Sequence, residues 1–154
     1  MGVVMFYHLT RSGADDTLAT LIGRARGRDW RVMVRGTDAD HLARLDDAFW
    51  VGPADGFLPH GMAGGAQDAD QPVLLGHGPI SNDARVLALI DGAVPDLAEV
   101  AGLERVWVLF DGGDPGAVDA ARGLWRQITE AGHPAQYWTE DSGSWQMKME
   151  KTGR

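Results

Sequence analysis

Two hydrophobic periods take turns along this chain, and that alternation restricts its fold more than any other feature. Residues Val3–Leu9 are β-branched and aromatic and predict a strand. Asp15 and Asp16 then stand where acidic groups favour a helix start. Leu18, Leu21, Ile22 and Ala25 follow at helical spacing, and Gly27 supplies a stop. Residues 30–34 predict a second strand. Thr37 with Asp40 resembles a capping box and opens a helix through Leu42, Leu45 and Phe49. Further strands are expected at 72–75, 85–90 and 106–110, the last being the strongest. Pro115 and Gly116 precede a helix over 117–131, closed by Gly132 and Pro134, and Ala135–Thr139 predicts a last short strand. Alternating strands and helices imply an α/β fold, Rossmann-like, with a mostly parallel sheet and helices on both faces. Residues 51–71 are rich in Gly, Pro and Asp and read as a long ordered loop, interrupted by Phe57 and Leu58. Loops of that length are uncommon inside compact domains unless they bind something. Residues 1–140 make a single domain in this reading, and 141–154 a flexible C-terminal tail.

Charge narrows the partners. The formal net charge is -8, so the overall field repels phosphates, and direct nucleic-acid binding is not expected. An acidic partner would have to be held by a local cluster of arginines. The apolar runs are strand-sized and broken by Arg, Asp or Gly, so no membrane span is expected. The first ten residues lack the basic start and cleavage site of a signal peptide, and the chain has 0 cysteines; both fit a cytoplasmic protein.

Catalytic and cofactor motifs are hard to find. Asp111-Gly112-Gly113-Asp114-Pro115-Gly116 lies where α/β proteins bind phosphates, between a strand and a helix. It lacks the Lys and Ser or Thr of a P-loop and the spacing of a dinucleotide fingerprint, and its aspartates would face an incoming anion. A plain turn is the simpler reading. The alternative is a nucleotide- or phosphate-binding enzyme built on Gly112-Gly113. The five histidines, His8, His41, His60, His77 and His133, include no pair four residues apart, so no metal site is expected. His60 reads as a structural residue bonded to loop backbone, and adjacent Asp46 and Asp47 as a solvated helix face. No catalytic residue and no cofactor emerge. A further possibility, base stacking on the six tryptophans, is opposed by the net charge.

Several segments together resemble the chi subunit family of bacterial DNA polymerase III. They are Phe6-Tyr7, then Leu45-Asp46-Asp47-Ala48-Phe49-Trp50, then Phe57-Leu58-Pro59-His60-Gly61-Met62-Ala63-Gly64, then Pro72-Val73. Ala121-Arg122, Trp125-Arg126 and Ala131-Gly132 match the family's final long helix. The resemblance implies a mononucleotide-binding type of fold without nucleotide binding or catalysis, and two docking tasks. One is the acidic C-terminal tail of single-stranded-DNA-binding protein. The other, on a separate face, is the psi subunit of the clamp loader or a repair helicase.

The residues can be weighed against those tasks. On a wheel of about 100° per residue, Ala117, Ala121, Leu124 and Ile128 form the core stripe of the last helix. Val118 and Trp125 lie on its edge, and Arg122 and Arg126 form the next ridge. An apolar ledge beside two guanidinium groups suits a chain end with an aromatic ring and a free carboxylate. Family members often carry a Lys where this chain has Val118. The competing reading makes Trp125 a core residue and the arginines ordinary surface. Trp50 falls about 110° from the buried stripe of its helix, and with Phe57 it is the candidate anchor for the second partner. A loop folded back over Trp50 is the plain alternative.

Overall fold

The computed structural model describes residues 2–50, 60–140 and 143–153, apart from the side chain of Trp50. Thirteen elements follow in order: β1 (Val3–Leu9), α1 (Ala14–Gly27), β2 (Val32–Arg35), α2 (Ala39–Trp50), β3 (Gly61–Met62), a 3-10 turn (Asp68–Asp70), β4 (Val73–Gly76), β5 (Val86–Leu89), α3 (Leu97–Val100), β6 (Arg105–Asp111), α4 (Pro115–Glu130), β7 (Ala135–Thr139) and β8 (Gln146–Lys151). The strands form one 8-stranded sheet in the order β3-β4-β2-β5-β6-β1-β7-β8. Every pairing is parallel except β7 with β8. The fold is α/β with helices on both faces, an arrangement compatible with the Rossmann-like expectation.

Burial on both faces explains why the central strands are nearly continuous apolar runs. In β6, Trp107 and Leu109 point into the layer under α1 and α2, packing with Leu18, Ile22 and Leu45. Val106, Val108 and Phe110 point the other way, into the layer under α3 and α4, with Val100, Leu124 and Ile128.

The structure corrects three local readings. The cap of α2 is Asp38, whose carboxylate accepts from the amides of Asp40 and His41, while the Thr37 hydroxyl donates to the Asp91 carbonyl instead. Asp46 is no solvated residue: its carboxylate lies 2.9 Å from Nε2 of buried His60, whose ring also meets Phe49 edge-on. His60 thus ties the chain just ahead of β3 to α2, a structural role in which its backbone partner is the Asp46 carbonyl of that helix and not loop backbone. Finally, the stretch read as a flexible tail contains β8, paired antiparallel to β7. All six of its residues are exposed, so burial leaves no periodic mark on them.

Near the C-terminal ends of the strands, His41 bridges α1 and the turn after β5. Its ring nitrogens lie 2.6 Å from Asp15 Oδ1 and 2.6 Å from Asp91 Oδ2. Burial works to lower the His41 pKa, but the hydrogen bonds and charges of Asp15 and Asp91 outweigh it and raise it above the ordinary 6.5. A raised folded-state value adds stability that is complete below the unfolded value and is lost as pH rises through the folded one. Melting temperature followed from pH 6.5 upward is therefore expected to fall more steeply in the wild type than in His41→Asn. Parallel profiles would remove His41 from the pH dependence.

Candidate docking site on the last helix

α4 starts firmly and then offers three different sides. Asp114 caps it by accepting from the amides of Gly116 and Ala117, and Pro115 occupies the first helical position. Ala121, Leu124 and Ile128 are buried against the sheet. Val118 and Trp125 sit half-buried on one edge of that stripe, packed against the same core layer. Arg122 and Arg126 are exposed beyond them. Neither arginine joins an ion pair among the described residues.

The two readings of Trp125 meet in one geometry. Its ring packs edge-on against Phe6, with centroids 5.4 Å apart, so part of it belongs to the core. The remainder is accessible, and it continues onto Tyr137 of β7 at 6.1 Å. Tyr137 is held from behind by a 2.7 Å hydrogen bond between its hydroxyl and His8 Nδ1. Its cross-strand neighbour is Met149 of β8, which is 52% exposed and so leaves apolar surface open beside the ring. The structure thus adds Tyr137, His8 and Met149 to the four residues read from the helix wheel. The missed signal lay in strand alternation, because Tyr137 follows buried Ala135 by two residues and shares its face.

The Gly112-Gly113 turn contains no vacant anion cradle. The Gly112 amide donates to the Leu9 carbonyl, Gly113 to Asp111, and Gly116 and Ala117 to Asp114. Gly112 is needed there because a Cβ would run into the His8 ring. The equivalent loop after β1 is also filled: the amides of Thr10, Arg11 and Ser12 all donate to Glu140. The five tryptophans whose side chains are described make no single platform. Trp107 is buried, Trp125 packs on one sheet face and Trp30, Trp138 and Trp145 on the other, and Arg28 and Arg105 lie over Trp30. Among the described residues no group of His, Asp or Glu is arranged to hold a metal ion, and no helix is long and apolar enough to cross a membrane.

The family model described as DNA polymerase III chi subunit, HolC, matches residues 1–136. The chain belongs to that family. No curated protein matches the chain. As a chi-family protein it is an accessory subunit of DNA polymerase III. The match includes all of α4 and ends inside β7, before Trp138 and β8. Trp50's side chain and Phe57, the two candidates for a second partner, lie outside the described residues.

Proposed function

We propose that this chi-family protein is a non-catalytic docking subunit that binds the acidic C-terminal tail of single-stranded-DNA-binding protein on the exposed edge of α4. One observation carries the reading. Two exposed arginines without acidic partners among the described residues stand one turn apart, beside half-buried Val118 and Trp125, on a chain of net charge -8. Arg122 and Arg126 receive the terminal carboxylate and nearby acidic side chains, and the terminal ring packs on Val118, Trp125 and Tyr137. The second task is the link to the clamp loader through psi, or to a repair helicase, with Trp50 and Phe57 as anchors. Neither a cofactor nor direct nucleic-acid contact is part of this function.

A contact of this kind covers well under the ~1,200 Å² of a standard interface, and its charges are exposed, so the affinity is modest and salt-sensitive. Arg122→Ala is expected to weaken binding of a synthetic acidic tail peptide by several-fold, to about a tenth, while leaving the melting temperature in place. Titration calorimetry checks this, and equal affinities for variant and wild type would sink the assignment.

A further inference from the structure

A cleft of ≈ 800 Å³ opens at the C-terminal ends of β1, β5 and β6, on the flank of α4 away from Arg122 and Trp125. β1 and β6 are neighbours, yet α1 leaves β1 over one face of the sheet and α4 leaves β6 over the other. The crevice between such strands is where α/β folds place their ligands. Phosphates are held there by loop amides and helix N-termini. In this chain the carboxylates of Glu140, Asp111 and Asp114 already occupy the amides of Thr10, Arg11, Ser12, Gly113 and Gly116, and only the uncapped start of α1 is left without one. The β6–α4 side of the cleft is therefore acidic. Asp111 Oδ1 accepts from one backbone amide and Asp114 Oδ1 from two, Asp91 lies on the same rim shared with His41, and among the described residues no Lys or Arg lines the cleft.

The floor is apolar, formed by Leu9, Leu89, Val108, Phe110 and Leu124. The apolar surface also continues outward onto the rim, where Val94 is 63% exposed. That extension makes a track rather than a closed cage, and a single small cation would leave it uncovered. We propose that this cleft receives a segment of a partner protein carrying Lys or Arg beside aliphatic side chains, with the aliphatic groups on the floor and the cation at Asp111 and Asp114. The surface is separate from the tail-binding edge of α4: Ala120 and Leu124 line the cleft, whereas Val118, Arg122 and Trp125 point away from it.

The probe is a short fluorescein-labelled peptide alternating leucine and lysine, titrated by anisotropy at low salt. Ala120 is exposed, so Ala120→Arg fills and repels at the cleft without entering the core, while Ala48→Arg on α2 makes the same charge change elsewhere. Ala120→Arg is expected to weaken binding about tenfold or more, and Ala48→Arg less than about twofold. Asp111→Asn keeps an acceptor for the Gly113 amide and is expected to lose several-fold in affinity. Saturable binding with that pattern, undisturbed by spermidine, supports the proposal. It is overturned by no saturation up to about 1 mM, by equal weakening in the two arginine variants, by equal binding of a leucine–glutamate peptide, or by displacement with spermidine.

Discussion

Glu99→Ala is expected to destabilise the protein by about 3–4 kcal/mol, the lower part of the range for a buried ion pair that loses one partner, because the Glu99 side chain is 22% exposed. Arg35, at the end of β2, is only 8% exposed although it carries a charge that cannot be neutralised by deprotonation. Its guanidinium is satisfied by four acceptors. Nε donates to the Gly78 carbonyl at 3.0 Å and Nη1 to the Val94 carbonyl at 3.3 Å. Glu99 accepts from Nη1 at 2.6 Å and from Nη2 at 3.3 Å, a forked pairing. Deleting the carboxylate leaves a cation with no counter-ion in a site closed to most water. The same carboxylate accepts from the Asp96 amide, the reciprocal half of the capping box of α3, so that helix also loses one of its two cap bonds while Asp96 still accepts from the Ala98 amide. Glu99→Gln keeps one acceptor oxygen without the charge and should fall between. Urea unfolding with an unchanged slope and a lower midpoint would register the loss. A midpoint equal to the wild type's would mean that water replaces the carboxylate at no cost.

That pair also shows why some of this fold was legible in the sequence and some was not. β1, β6 and α4 were readable because each carries one pattern over many residues: a continuous β-branched and aromatic run through residues 106–110 in β6, and a helical stripe at Ala121, Leu124 and Ile128 in α4. Arg35 and Glu99 carry no such pattern. They lie 64 positions apart, and nothing local marks an arginine at a strand end as buried. The displaced cap of α2 is similar, since Thr37 and Asp38 both suit that position and only the turn holding Asp91 decides between them. β8 was invisible because an exposed edge strand beside one neighbour has no inner face. On α4 the edge position of Trp125 and the exposed ridge of Arg122 and Arg126 were legible from one helix, whereas the neighbouring Tyr137 needed the parallel register of β1 with β7 to bring it alongside.

Glu140 combines these themes, and its removal should have the second-largest effect. It follows β7 directly, is 3% exposed, and its carboxylate accepts from the amides of Thr10, Arg11 and Ser12 and from the Ser12 hydroxyl. Burial works to raise its pKa, but the hydrogen bonds from Ser12, Thr10 and Arg11 prevail and hold it below the ordinary 4.5. Glu140→Ala is expected to cost about 3 kcal/mol, the scale of a charge-assisted hydrogen-bond cluster whose donors are near enough to the surface to find water afterwards. In melting temperature that is about 6–12 °C. Because the folded-state pKa is lowered, this stabilisation is complete above the unfolded value and disappears as pH falls through the folded one. The gap between wild type and Glu140→Ala should therefore be full near neutrality and shrink below pH 4.5, and a gap independent of pH would assign the loss to packing instead. Glu140→Gln discriminates further, since its amide keeps the volume but offers only one oxygen and adds donors where three amides already point. If it is nearly as damaging as alanine, the negative charge is the essential element, and the chain supplies from β7 the anion that this loop would otherwise take from a ligand.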